Sequence, residues 1–237
     1  MKNYLNKLII ALDFNTTQQA LDVVTELKEY PIWFKIGLEL YISSRGKIID
    51  LINSNNIFLD LKFHDIPNTV QQAVKNAIKP NVKMINVHAS GGKLMMQRAY
   101  DGLNQAVSQL KIEKPKLIAV TLLTSIDNSI LQQDFNLKYN SLDIVKKLAL
   151  LTKESGLDGV VASANEASAI KEVCGQDFLV VTPGIRLATI NSHDQKRIMT
   201  PKEAIRNGAD YLVIGRDITQ SANKISSIQE ILNNINS

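Results

Sequence analysis

Asp60, Lys62 and Asp65 fall close together in the stretch FLDLKFHDIPNTV, residues 58–70. The stretch begins as a buried strand would, with Phe58, Leu59, Leu61 and Phe63 apolar. On a regular strand residues i and i+2 leave the same face, so Asp60 and Lys62 point together, about 6–7 Å apart along the chain. A carboxylate and an ammonium on one buried face are costly unless each has a partner or a ligand. A lone pair of this kind can be an ion pair that fixes strand register. An ammonium among several carboxylates can instead deliver a proton and stabilise negative charge as it develops.

Other chemistries find less support. His64, His88 and His193 show no short metal-ligand spacing and no accompanying acidic cluster, so no metal is expected. His88 is expected to be a hydrogen-bonded wall residue. Cys174 is the only cysteine. It rules out an intrachain disulfide, suits a reducing compartment, and reads as structural.

The elements that must position these residues are legible as a repeating pattern. Apolar, β-branched-rich runs recur at 7–13, 33–38, 57–62, 82–89, 116–123, 158–163, 178–184 and 211–216. Their near-continuous apolar character predicts strands buried on both faces, as in a parallel sheet. Amphipathic stretches lie between them. In 16–30, Ala20, Val23, Val24 and Leu27 form one stripe. The stretch 141–156 ends on a glycine, as helices often do. Ser163 and Glu166 have capping-box spacing; Thr200, Pro201 and Glu203 make a stronger helix start. Residues 218–236 read as one closing helix.

Eight strands alternating with helices in 237 residues predict an α/β protein with a (β/α)8 TIM barrel as a single domain over 1–237. A doubly wound open sheet is the alternative. It usually carries a glycine-rich turn after its first strand, and here that position reads ALDFNTT.

Charge and hydropathy set outer bounds. With 27 basic and 23 acidic residues the net charge is +4, and the basic residues are scattered. That suits an anionic small molecule as well as nucleic acid and decides nothing alone; the expected partner is a small molecule, with no nucleic acid. No run reaches the roughly 18 apolar residues of a membrane span, so a cytoplasmic protein with no membrane association is expected.

In a barrel, chemistry gathers at the C-terminal ends of the strands. Asp13, Lys35, Asp60, Lys62, His88, Thr124 and Arg216 all fall there, and Lys35 with Asp65 extends the Asp60–Lys62 pair into an alternating array. Gly215 and Arg216 close the last strand, where barrels often bind phosphate. The connection after the seventh strand, 184–200, exceeds the ~12–15 residues of an ordinary loop. Its Arg186, Gln195 and Lys196 can close on an anion.

DLKFHDIPNTV resembles the signature Asp-x-Lys-x-x-Asp-Ile-Pro-Asn-Thr of the orotidine 5′-phosphate decarboxylase family. The resemblance runs along the chain, through ALD after the first strand, FKIGLEL at the second, TLLTS after the fifth, VTPGIR at the seventh and YLVIGRDIT at the eighth. A wider superfamily shares Asp-x-Lys-x-x-Asp, but DIPNTV with the Pro-Gly-Ile-Arg and Ile-Gly-Arg segments points to the decarboxylases. The resemblance implies a (β/α)8 barrel working as a homodimer, with active sites at the interface and neither metal nor organic cofactor. It implies orotidine 5′-phosphate as substrate and uridine 5′-phosphate as product, in pyrimidine synthesis. By resemblance, Lys62 is the proton donor, Asp60 faces the departing carboxylate, and Lys35 completes the charge array and reaches the ribose. Asp13 binds ribose hydroxyls, Asp65 and Thr69 serve the ribose in the partner's site, and Thr124 touches the pyrimidine edge. Pro183 also lines the substrate, and Arg186, Gln195, Gly215 and Arg216 hold the phosphate. The alternatives are a magnesium-dependent sugar-phosphate decarboxylase or synthase of the same superfamily, and a barrel that only binds phosphorylated ligands.

Overall fold

Eight parallel strands pair in chain order and the eighth returns to the first, closing a barrel. The computed structural model describes residues 4–52, 56–187 and 199–237. The strands are β1 (Leu8–Ala11), β2 (Trp33–Gly37), β3 (Asn56–Phe63), β4 (Val82–His88), β5 (Lys116–Val120), β6 (Gly159–Val161), β7 (Leu179–Thr182) and β8 (Tyr211–Ile214). They match the eight apolar runs in order. The helices are α1 (Thr17–Leu27), α2 (Leu38–Ser43), α3 (Ile48–Leu51), α4 (Pro67–Ala77), α5 (Gly92–Leu110), α6 (Asn128–Gln133), α7 (Ser141–Glu154), α8 (Ala167–Cys174), α9 (Pro201–Arg206), α10 (Arg216–Thr219) and α11 (Lys224–Asn236). This is the (β/α)8 architecture the alternation predicts, not the open sheet.

The two-residue period of each strand sorts its side chains into two cores. Leu8, Ile10 and Leu12, Phe34 and Ile36, and Leu59 and Leu61 join the outer core under the helices. Ala20, Val23, Val24 and Leu27 of α1 complete it on the helical side. Ile9 and Ala11, Trp33, Phe58, Met84, Ile118, Val181 and Val213 form a separate inner core within the barrel. The polar members of the inward rows, Lys35, Asp60 and Asn86, continue these rows toward the C-terminal ends.

Helix starts follow local chemistry. The Thr16 hydroxyl accepts from Gln19 N, and Asn140 caps α7 by accepting from Asp143 N at 2.9 Å. At α9 the full capping box forms: Glu203 N donates to Thr200 Oγ1 (3.3 Å), and Thr200 N donates to Glu203 Oε2 (3.1 Å).

Three expectations change. Strand five ends at Val120 and strand six spans only Gly159–Val161, which leaves Leu122–Thr124 as a loop at the barrel mouth. Ser163 N donates to Glu166 Oε2 (3.0 Å), but Glu166 N donates to the Ser163 carbonyl instead of the hydroxyl, so a turn forms there and α8 starts at Ala167. The closing helix is two helices. Asn223 accepts from Ser226 N at 2.9 Å and starts α11 afresh, while its own N–H donates to Ser221 Oγ.

Candidate active site

The strand ends carry a contiguous chain of four charges. Lys35, in the middle of β2, has its Nζ 2.9 Å from Asp13 Oδ1 and 3.4 Å from Asp60 Oδ2. Lys62 Nζ lies 2.7 Å from Asp60 Oδ1. The order is Asp13–Lys35–Asp60–Lys62, alternating in sign. Burial falls toward its ends: the side chains of Lys35 and Asp60 are 11% and 10% exposed, Lys62 30% and Asp13 62%. The two inner members are therefore largely desolvated while the outer two are more open to solvent.

This geometry polarises the inner pair. Burial acts against the charged form of Asp60, but Lys35 and Lys62 outweigh it, with hydrogen bonds from Lys62 and Asn86 adding to them, and hold the carboxyl below its ordinary value. Burial likewise acts against the charged form of Lys35, yet Asp60 and Asp13 outweigh it and hold the ammonium above the usual lysine value. Both groups stay ionised through neutral pH, and a reacting molecule meets a fixed field rather than solvent.

β3 departs from regular strand geometry at this point. Lys62 has φ of 51°, in the left-handed region. Its pairing with β4 shifts register between Leu59 and Phe63. A left-handed conformation costs a non-glycine residue on the order of 1–2 kcal/mol, and such strain persists where surrounding contacts over-determine it. Those contacts come from Asn86, which the sequence reading passes over. Its Oδ1 accepts from Lys62 N (2.8 Å) and its Nδ2 donates to Asp60 Oδ1 (2.6 Å). The signal was present: Asn86 is a polar residue in the middle of the apolar run VKMINVHA. Gly37 is the second residue missed. A Cβ there would stand 3.1 Å from Lys35 Nζ and 3.3 Å from Asp13 Oδ1, pressing on the ion pair itself.

The array opens onto a cavity of about 740 Å³ at the C-terminal mouth. Asp13, Lys35, Asp60, Lys62, Thr124, Pro183, Arg186, Gly215 and Arg216 all line it. Ala11, Phe58, Val120, Val161 and Val213 give it an apolar floor, and Leu122 and Leu123 an apolar side. Arg186 follows β7 and Arg216 opens α10 after β8, so two guanidinium-bearing residues, with Asp217 beside them, give the cavity a cationic end. The base of the connection after β7 is anchored there. Ile185 and Met199 form a bridge, Arg186 N donates to Met199 O (3.1 Å), and Leu187 N donates to Asp217 Oδ2 (3.1 Å). Gln195, Lys196 and His193 lie outside the described residues.

Asp65 and Thr69 stand apart from this cavity. Both are exposed, and the Asp65 carboxylate accepts from Ile66 N at 2.6 Å. β3 ends at Phe63 and the chain turns into α4, which carries Asp65 off the inward row. Within one chain the array is therefore completed by Asp13 instead of Asp65. His88 meets the ring of His64, centroids 5.2 Å apart, in place of the expected hydrogen-bonded wall contact. Burial, then His64 and Lys62, keep His88 below the usual histidine value. Cys174 is buried, and burial raises its thiol, as suits a structural cysteine. Among the described residues no three His, Cys, Asp or Glu side chains form a metal-binding group, and no helix is long and apolar enough to cross a membrane.

The chain is similar to known proteins along nearly its whole length. Residues 6–231 match the model of the orotidine 5′-phosphate decarboxylase / HUMPS family. An orotidine 5′-phosphate decarboxylase from Carboxydothermus hydrogenoformans is 46% identical over 229 residues, covering 95% of this chain and 94% of that protein. One from Pseudoalteromonas atlantica is 46% identical over 227 residues, covering 95% of this chain and 96% of its own. The crystal structure of orotidine 5′-phosphate decarboxylase from Lactobacillus acidophilus superposes with a TM-score of 0.82 at 36% identity, over 97% of this chain and 99% of that one.

Proposed function

The chain belongs to the orotidine 5′-phosphate decarboxylase / HUMPS family, and from that premise we infer that it converts orotidine 5′-phosphate to uridine 5′-phosphate and carbon dioxide, closing pyrimidine nucleotide synthesis. The observation that carries the reading is the Asp13–Lys35–Asp60–Lys62 array, with Lys62 Nζ 2.7 Å from Asp60 Oδ1, at the edge of an apolar floor.

The reaction breaks the bond between the pyrimidine ring and its carboxylate. The electron pair stays on the ring carbon, in the ring plane, where the π-system cannot delocalise it. The Lys62 ammonium stabilises that charge and delivers its proton to the same carbon as carbon dioxide leaves. Solvent then reprotonates the lysine. Asp60 holds Lys62 in place and faces the departing carboxylate. Lys35 and Asp13 meet the ribose, and Thr124 the edge of the base. Pro183 lines the pocket beside Arg186. The phosphate lies at the cationic end, on Arg186, Arg216 and the backbone beside Gly215, with Gln195 a further phosphate ligand by the family resemblance. Space favours that placement: a Cβ on Gly215 would meet nothing nearer than Ala11 Cβ at 3.8 Å. Binding energy at the phosphate, remote from the reacting carbon, serves closure and desolvation.

The reading extends to a homodimer in the cytoplasm, each chain a single catalytic domain that supplies Asp65 and Thr69 to its partner's ribose site. Two features support it. Neither residue lines the cavity of its own chain, and Ile66 between them is 68% exposed, so this turn offers an apolar side chain to a partner. The chemistry needs no metal and no organic cofactor.

A spectrophotometric assay with orotidine 5′-phosphate tests the activity, with and without exhaustive chelation. Loss of the substrate's ultraviolet band in EDTA is the expected result. No turnover, or turnover restored only by magnesium, would favour the sugar-phosphate branch of the superfamily.

A further inference from the structure

Asn86 stands alone opposite the irregular part of β3. Leu59 pairs with Ile85 and Phe63 with Val87, so Asp60, Leu61 and Lys62 on one strand are matched by Asn86 on the other. A strand that gains residues against its neighbour leaves backbone groups outside the ladder. Here the Lys62 N–H is taken by Asn86 Oδ1 at 2.8 Å, while Asn86 Nδ2 reaches Asp60 Oδ1 at 2.6 Å. The side chain is wholly buried. The partners fix its orientation, because a backbone N–H only donates and a carboxylate only accepts. An aspartate would set a second carboxylate against Asp60, and a leucine would satisfy neither neighbour. Asn86 does not line the cavity, so whatever it does for the reaction it does through Asp60 and Lys62.

We propose that Asn86 is a positioning residue for the decarboxylation: it clamps the left-handed turn at Lys62 and the Asp60 carboxylate together, so that the ammonium is aimed before substrate binds. The inference rests on the roles given above to Asp60 and Lys62. Preorganised charge of this kind accelerates the chemical step more than it tightens ground-state binding. The groups facing Asp60 are Lys35 from β2, Lys62 from β3, and Asn86 and His88 from β4, with Asp13 acting through Lys35. Removing the Asn86 bond leaves the two lysines to hold the carboxylate ionised, and weakens its preference for the charged form.

The test is steady-state kinetics of Asn86→Leu and Asn86→Asp on orotidine 5′-phosphate, with Lys62→Ala assayed alongside and each fold checked by circular dichroism. Losing a hydrogen bond to a charged group predicts a roughly ten- to hundred-fold fall in kcat for Asn86→Leu. KM should change less than about threefold, since the phosphate and ribose contacts remain. The acid limb of the pH–kcat/KM profile should move to higher pH. Asn86→Asp keeps the acceptor for Lys62 N–H, loses the donor and adds repulsion; it should lose kcat at least as far, and it carries the test if Asn86→Leu does not fold. A folded variant with kcat within about twofold of wild type overturns the proposal. So does a matched loss of kcat, KM and Tm with an unmoved acid limb, which is the mark of structural support alone. If Lys62→Ala is inactive while Asn86→Leu turns over normally, only the role of Asn86 falls; if Lys62→Ala remains active, the site assignment beneath it falls as well.

Discussion

The Lys62 ammonium lies 2.7 Å from Asp60 Oδ1 although the Lys62 backbone has left the strand, with φ at 51°. The two residues are held by contacts across three strands: Lys35 on β2, their own β3, and Asn86 on β4. The ion pair is thus a product of barrel closure, not of local spacing alone.

Lys62→Ala removes the proton donor and the cation nearest the reacting carbon in one step. Asp60 keeps Lys35 and Asn86 as partners, so the fold should survive. Turnover of orotidine 5′-phosphate should fall by at least about 10³-fold. A folded Lys62→Ala enzyme with near wild-type turnover would remove lysine from the mechanism.

The ion array also makes a signed prediction for stability. Asp60 is held below its ordinary value of 3.8, so its contribution is present above that pH and is lost as pH falls through the lower folded value. Lys35 is held above 10.5, so its contribution is present below that pH and is lost as pH rises through the higher folded value. Thermal melts of wild type and Asp60→Asn should therefore differ most near neutral pH and converge as the solution becomes more acidic than the ordinary aspartate value. A Tm difference unchanged across the acid range would show that the carboxylate's charge is not what stabilises the site.

Most of the architecture was legible in the sequence because its cause is local. Strands buried on both faces must be apolar along their whole length, and runs such as KLIIALD and YLVIGR say so. The placing of Asp13, Lys35, Asp60 and Lys62 at one mouth follows once the runs are taken as barrel strands. What escaped depends on tertiary closure. The i, i+2 argument assumed a regular strand at Lys62, whereas the register shift and the Asn86 clamp arise from the neighbouring strand. Asp65 read as the fourth member of the array by proximity in sequence; within one chain the turn into α4 carries it away and closure brings Asp13 to Lys35, which leaves Asp65 for the site proposed in the partner. The break between α10 and α11 hangs on Asn223 and Ser221, whose capping bonds do not alter the apolar periodicity on which one long helix was expected.

Gly37 gives a more local test. A methyl group there must displace Lys35 Nζ or Asp13 Oδ1 by a few tenths of an ångström, since it would meet them at 3.1 and 3.3 Å. Lys35 is tied to two carboxylates and cannot yield without moving the array. Gly37→Ala should lower kcat/KM roughly tenfold and leave the circular dichroism spectrum unchanged. Full activity in that variant would show that the array tolerates displacement.

Subunit mixing addresses Asp65. Lys62→Ala spoils a chain's own cavity, whereas Asp65→Ala should spoil the cavity of its partner. If sites are shared, each inactive alone, a mixture forms heterodimers with one intact site of two. Statistical exchange then restores about a quarter of wild-type activity. No recovery after verified subunit exchange would place Asp65 outside the partner's site.

The phosphate grip is tested at Arg216, which lines the cationic end of the cavity with Arg186 and Gly215. Charge-assisted hydrogen bonds to a phosphate contribute roughly 1.5–3 kcal/mol each. Arg216→Ala should therefore lower kcat/KM for orotidine 5′-phosphate by about one to two decades or more. For orotidine without the phosphate the loss should be far smaller, because the guanidinium then has nothing to hold. Gln195→Ala should show the same substrate dependence with a smaller loss if Gln195 acts by closing over the anion. The measurement is a cycle of both variants on both substrates, read as the ratio of the two losses. Equal loss with and without the phosphate would assign Arg216 to supporting the β8 loop and leave the anion to Arg186.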